Sequence, residues 1–294
     1  MTRRGFLGSA GLLMAQQEPV LRVDVKLVRF LATVKNADGQ LVGGLDKADF
    51  TLTDCGVPQE IAVFERQTEL PLSIALLIDT SGSTAKDLKY EIESASRFLT
   101  ALTREGNPKD ALALYSFNHE VEQHSGYTRN TARIRKALTS LKAEAGTSLY
   151  DALTLVAEPL GERPGRRVIV VVTDGGDTTS YRNFHDALKS VHRAEASIYS
   201  LVVVPITNDA GRNIGGENAL ITLGRSTGGR VFFPSVGAAL DKALDDILRD
   251  LRTQYLLAYY PKGLPASPPA FHPVKITAKG TDLRVYSRDG YYGG

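Results

Sequence analysis

Asp79, Ser81 and Ser83 stand at alternate positions of one loop, Asp-Thr-Ser-Gly-Ser, directly after the apolar run Ile74 to Ile78. Alternation along an extended segment turns one carboxylate and two hydroxyls toward a single point. These oxygens are hard donors of the kind that magnesium or calcium prefers, so the chemistry on offer is cation binding. Two more oxygen-bearing segments occur downstream. Thr147 sits in Gly146-Thr147-Ser148, a glycine-led stretch ahead of a helical pattern. Asp174 sits in Thr173-Asp174-Gly175, which ends a second wholly apolar run, Val168 to Val172. Taken singly, the same residues have plainer uses. Asp79 and Ser83 could cap the helix that follows, Thr147 could cap another, and Asp174 with Gly175 and Gly176 could form a turn.

Whether these oxygens meet depends on the elements that carry them. From Leu72 onward, strand-like and helix-like stretches alternate. The strands are Leu72 to Ile78, Ala111 to Phe117, Glu120 to Gly126 at an edge, Val168 to Val172, Ile198 to Val204 and Arg230 to Phe233. The first helical pattern, from about Thr84 to Leu102, puts Leu88, Ile92, Ala95, Leu99 and Leu102 on one face. Asn130 is placed to cap a helix that turns Ile134, Leu138 and Leu141 inward. The alternation implies an α/β fold, a doubly wound, mostly parallel six-stranded sheet of Rossmann-like type covered on both faces. Ligands bind such sheets beyond the carboxyl ends of the strands, where the strand order reverses. With the common order 3-2-1-4-5-6, that crevice lies between the first strand, ending at Asp79, and the fourth, ending at Asp174. Thr147, at a helix start, reaches the same edge.

The ordered set is specific where its parts are not. Asp79-x-Ser81-x-Ser83, then Thr147 in Gly146-Thr147-Ser148-Leu149-Tyr150-Asp151-Ala152-Leu153, then Thr173-Asp174-Gly175, is similar to the metal-ion-dependent adhesion site of von Willebrand factor type A domains. The resemblance covers roughly residues 70–252. It implies that Ser81, Ser83 and Thr147 ligate Mg²⁺ directly, while Asp79 and Asp174 act often through waters; Ca²⁺ or Mn²⁺ would suit the same oxygens. It implies a non-catalytic protein-binding or adhesion module, with one coordination position filled by an Asp or Glu of a partner protein. Asp151 and Asp177 are candidates for supporting the ligands from behind.

The flanks have another character. From Leu21 to Val34 apolar and polar residues alternate, and Leu41-Val42, Phe50 to Thr53 and Ile61 to Phe64 are further short strands. The last stretch returns to β character at Tyr255 to Tyr260, Val274 to Ala278 and Leu283 to Tyr286. The expected organisation is residues 18–69 and 253–294 as two halves of one β-sandwich, with 70–252 inserted between them. Two separate β-extensions are the rival arrangement. Gln254-Tyr255-Leu256-Leu257-x-Tyr259-x-Pro261 and Arg288-Asp289-Gly290-Tyr291-Tyr292 resemble the flanks of a bacterial family of exported proteins built this way. Pro205 to Asn218 reads as a polar surface loop.

Thr2-Arg3-Arg4-Gly5-Phe6-Leu7 looks like a twin-arginine export signal, so residues 1–17 are expected to direct export to the periplasm or beyond. The formal net charge of +2 falls to zero without Arg3 and Arg4, which gives no field favouring nucleic acid. No apolar run approaches the ~20 residues of a membrane span. Cys55 is the one cysteine, read as a small buried or half-buried thiol, and no internal disulfide can form. The five histidines make no metal-binding pair, and Arg166-Arg167 reads as a solvated edge. Two other functions compete. A phosphohydrolase of the haloacid dehalogenase type would need a second aspartate where Ser81 stands, and no phosphate-cradling glycine loop is present. A structural scaffold would use the metal only to staple its loops.

Overall fold

The computed structural model describes residues 27–66, 69–203, 213–265, 267 and 269–293. The twin-arginine stretch, the start of the first alternating segment and most of the 205–218 loop lie outside them. The chain begins with β1 (Val28–Lys35), β2 (Phe50–Asp54), β3 (Val57–Gln59) and β4 (Val63–Glu65). Then come β5 (Leu72–Asp79), α1 (Leu88–Glu105), β6 (Ala111–Phe117), β7 (Val121–Thr128), α2 (Thr131–Leu138), α3 (Leu149–Gly161), β8 (Arg166–Thr173), α4 (Phe184–Arg193), β9 (Ala196–Val202), α5 (Ile214–Ser226), β10 (Arg230–Phe232) and α6 (Ala238–Arg252). It closes with β11 (Tyr255–Tyr259), β12 (Phe271–Ala278), β13 (Arg284–Tyr286) and β14 (Gly290–Tyr292).

The central sheet has the order β10-β9-β8-β5-β6-β7. Its pairs are parallel except for β7, which runs antiparallel to β6 at the edge. Every residue of β5 is buried, as expected of a strand covered on both faces. Ile74, Leu76 and Ile78 pack with α1, α2 and α6, while Ala75 and Leu77 pack with α3, α4 and α5. At ~1.5–3 kcal/mol for each large side chain fully buried, this strand anchors the unit and holds its carboxyl end still. The fold class and the reversal between β5 and β8 are those that the alternation implied.

The remaining strands form two antiparallel sheets, β13-β1-β11-β4 and β14-β12-β2-β3. Phe30, Tyr255, Leu257 and Tyr259 of one meet Phe50, Leu52, Val274 and Ile276 of the other in one core. Both sheets combine strands from before and after the six-stranded unit, which alternate in the first sheet and meet at the β12–β2 pair in the second. Val28 pairs with Tyr259, and Leu52 with Ile276. β4 and β11 pair antiparallel with Glu65 opposite Leu256, so the chain leaves and rejoins the sandwich at neighbouring places.

Several details differ from the sequence reading. β3 and β14 pair as strands; β3 carries Pro58 and lies at a sheet edge, where a missing N–H costs no ladder bond. α5 begins at Ile214, inside the segment read as a loop, because the Asn213 side chain caps it by accepting from Gly216 N. α1 starts at Leu88 rather than Thr84, since residues 82–87 are spent on turns. Arg166 is no solvated edge: it is 5% exposed and donates to the carbonyls of Leu70 and Leu251, joining the two chain crossings of the unit.

The sandwich and the α/β unit are joined by buried polar contacts. Lys35 Nζ lies 2.7 Å from Asp250 Oδ1, and both side chains are buried. Burial pushes the Asp250 carboxyl up, and its contacts with Lys35 and Arg230 oppose this. Lys35→Met leaves Asp250 with Arg230 at 3.4 Å as its remaining ion-pair contact, and should cost ~3 kcal/mol in chemical denaturation. His192, 4% exposed, faces the sandwich through Phe271, Tyr292 and Asp289. Asp289 at 3.3 Å would favour a charged ring, but its side chain is half exposed. Burial prevails, and with Arg288 nearby it lowers His192 to about 4. The unfolded imidazole titrates near ~6.5. Stability should therefore hold above that pH and decline as pH falls toward 4, and His192→Gln should flatten the decline in pH-resolved thermal melts.

Candidate metal centre

β5 and β8 lie side by side with Ile78 opposite Val172, so Asp79 and Thr173 end adjacent strands at one height. Asp79 is fully buried. Its Oδ2 accepts a hydrogen bond from Thr173 Oγ1 at 2.5 Å, and its Oδ1 accepts one from Ser81 N at 2.8 Å. These two bonds fix the carboxylate plane. The loop then turns tightly: Thr84 Oγ1 donates to the carbonyls of Asp79 and Ser81. That turn brings Ser81 Oγ within 3.1 Å of Ser83 Oγ, with Ser81 buried and Ser83 open to solvent.

The Thr147 loop is laid against this one. Glu144 N donates to Thr80 O at 2.7 Å, and Ser81 and Glu144 form a parallel bridge. Gly146 has φ +86°, and a β-carbon there would come within 2.9 Å of His119, so the close approach requires glycine. Thr147 N donates to Thr178 Oγ1 at 3.0 Å, and Thr147 O accepts from Thr178 N at 2.8 Å. The loop after Asp174 is thereby tied to the Thr147 loop. Each of the three oxygen-bearing loops is hydrogen-bonded to the other two, through Glu144, Thr178 and Thr173.

The predicted residues occupy distinct places in this ring. Asp79 is bonded to Ser81 through the Ser81 backbone, and Ser81 to Ser83 through their hydroxyls. Asp174 is half-buried beside Asp79, whose carboxyl feels its charge. Thr147 is 7% exposed, and the bonds that fix it run through its backbone. Asp151 and Asp177 stand behind the site. Asp151 accepts from the backbone N–H groups of Tyr181 and Arg182, and Asp177 from Tyr150 N and Ser180 Oγ. They fasten the 177–182 segment to the start of α3. The cap of α3 is Ser148, not Thr147.

Sequence reasoning missed Glu91. It projects from α1, is 1% exposed, and neither carboxyl oxygen has a hydrogen-bond partner among the described residues. Burial, then Asp79, Asp174 and Asp87, raise its pKa to about 9. The signal was an acid three residues after Leu88, on the stripe that should be apolar. Asp79 is likewise raised, to about 6; burial is the main cause, the hydrogen bonds from Thr173 and Ser81 oppose it, and Asp174 adds to it. Buried acids pushing one another upward, with an uncommitted carboxyl among them, are a setting that a nearby cation would relieve. The donor set of carboxylate and hydroxyl oxygens fits a hard divalent ion.

Comparison with known proteins agrees with this geometry. Residues 74–176 match the von Willebrand factor type A domain family. Uncharacterized protein sll0103 of Synechocystis sp. is 31% identical over 115 residues, a stretch that covers 38% of this chain and only 27% of that protein. The pilus adhesin SpaC of Lactobacillus rhamnosus GG, in its open conformation, superposes with a TM-score of 0.51 at 11% identity, over 82% of this chain and 47% of SpaC. The D319A mutant of the PilB minor pilin of Streptococcus sanguinis gives 0.50 at 13%, over 64% and 62%. Identities this low show the fold alone. The matched stretch, residues 74–176, includes both ends of the crevice between β5 and β8, and the six-stranded unit of this chain has the von Willebrand factor type A fold.

Proposed function

We propose that this protein is an exported, non-catalytic binding module that captures an acidic residue of a partner protein through a divalent cation. The observation that carries the reading is the ring of three mutually bonded loops around buried acids. Ser81, Ser83 and Thr147 would hold Mg²⁺, with Asp79 and Asp174 balancing its charge; Ca²⁺ or Mn²⁺ would be held by the same oxygens. When bound, the cation supplies an electrophilic position that a partner's Asp or Glu can fill. Ser83, exposed at the rim, puts the site within reach of a protein surface. Thr173 and the Ser81 backbone orient Asp79, and Asp151 and Asp177 keep the surrounding segment in place.

SpaC is a pilus adhesin and PilB a minor pilin, and a binding role is in keeping with those two relatives. Export rests on the twin-arginine pattern of residues 1–17. No helix among the described residues is long and apolar enough to cross a membrane. A phosphohydrolase reading gains nothing here, since Ser81, where its second acid would be, is engaged with Ser83.

Asp79→Ala and Asp174→Ala should each abolish Mg²⁺-dependent capture of partners from an exported fraction, with circular dichroism unchanged. Capture by both variants in EDTA would remove this face from consideration. Metal-dependent stability with no metal-dependent capture would instead favour the stapled scaffold. Glu91 supplies a second test. A buried acid raised from 4.5 to about 9 favours the folded state when protonated. In chelator, its contribution to stability is full below ~4.5 and lost as pH rises toward 9. Glu91→Gln should flatten that loss, and Mg²⁺ at pH 8 should raise the melting temperature of the wild type more than that of the variant.

A further inference from the structure

A second group of ligand-type side chains lies in the sandwich, away from the cation site of the α/β unit. Asp54 ends β2, and Cys55-Gly56 make the two-residue turn into β3, with Asp54 opposite Val57. Both turn residues have positive φ, 48° and 80°. That is the pattern of the tight hairpin turn in which Asn-Gly is the favoured sequence. A cysteine at the first position is an outlier, since its β-carbon crowds the backbone there. Cys55 N donates to Pro273 O at 2.8 Å, which docks the turn beside His272 on β12.

We infer that Asp54, Cys55 and His272 form a binding site for a zinc-class transition-metal ion. One donor atom from each of the three lies within 4.8 Å of the other two. Asp54 is fully buried, and its Oδ2 accepts from Tyr259 and Tyr291 hydroxyls at 2.8 and 2.9 Å. Those bonds aim Oδ1 at His272 Nδ1, 3.4 Å away. A charge-assisted hydrogen bond would close to ~2.7–2.9 Å. Two ligands each ~2.0–2.1 Å from one tetrahedral ion stand about 3.3 Å apart. At 3.4 Å the contact is a long hydrogen bond whose spacing also matches that of two ligands on one ion.

The donor chemistry selects the ion. Thiol sulfur, imidazole nitrogen and carboxylate oxygen together suit Zn²⁺ and its neighbours, and a thiol has little attraction for Mg²⁺ or Ca²⁺. The supporting contacts are those of a held ligand set. Two tyrosines restrain the far carboxylate oxygen, and the His272 ring stacks on Tyr291 at 4.7 Å. Cys55 is partly exposed, which gives the ion a way in and leaves a fourth position for water. Bound there, the ion would clip a hairpin from the first half of the sandwich to a strand from the second.

Cys55 is the only cysteine of the chain, which makes the test unambiguous. The dilute, reduced full chain, saturated with Mg²⁺, is titrated with Co²⁺ and read by absorption. The expected result is one equivalent of Co²⁺ giving a near-ultraviolet thiolate-to-cobalt band with intense tetrahedral visible bands, both displaced by Zn²⁺. Cys55→Gly, which suits the positive φ, should lose the charge-transfer band and keep the wild-type circular dichroism. X-ray absorption at the zinc edge of the wild-type complex should count one sulfur and one imidazole. Absence of the thiolate band, or a zinc shell lacking sulfur or imidazole, overturns the assignment.

Discussion

Carboxylates held where water cannot reach them are the constraint on which this molecule turns. Asp79 sits at the end of a strand buried on both faces, and Glu91 lies behind it on the apolar face of a helix. Each raised pKa is free energy stored in the folded state, roughly 1.4 kcal/mol for every tenfold change in proton affinity. A protein of ordinary marginal stability tolerates this only with a rigid surround. Here the surround is the β5–β8 ladder together with three loops that bond one another. Most bonds within that ring use at least one backbone group, so the loops are positioned without tying up every hydroxyl.

The division between a stiff platform and a mutually braced rim explains which contacts matter at a distance from the site. Asp151 and Asp177 touch none of the five principal oxygens. They satisfy the N–H groups of Tyr181, Arg182 and Tyr150, so the segment beyond Asp174 cannot drift from α3. Gly146 acts the same way through space rather than bonding, by letting its loop come against His119. Removing such supports would loosen the proposed site while leaving every candidate ligand in the chain.

Much of this was legible in the residues. Apolar runs ending in Asp79 and Asp174 placed both acids at a strand reversal, because topology alone decides where such ends meet. The alternation of the flanking strands likewise pointed to a sandwich. What escaped had specific reasons. β3 and β14 are three residues each, too short for a period to show. Arg166 looked like surface because its partners are carbonyls of Leu70 and Leu251, which carry no side-chain signal. Glu91 is a single acid beside an otherwise regular apolar stripe, and its burial depends on what packs over that face of α1. The meeting of Asp54 with His272 depends on pairing between β2 and β12, which no local pattern specifies.

The sandwich has one more property that follows from how the α/β unit is inserted. Its two tethers leave on β4 and β11, neighbours whose connecting ends point the same way. A tensile load applied at the crevice would therefore pull both strands together rather than peel one from the other. Resistance would fall to the five-pair ladder between β11 and β1, loaded along its length so that its hydrogen bonds break together rather than in succession. Drawing the two units apart would therefore shear the sandwich rather than unzip it.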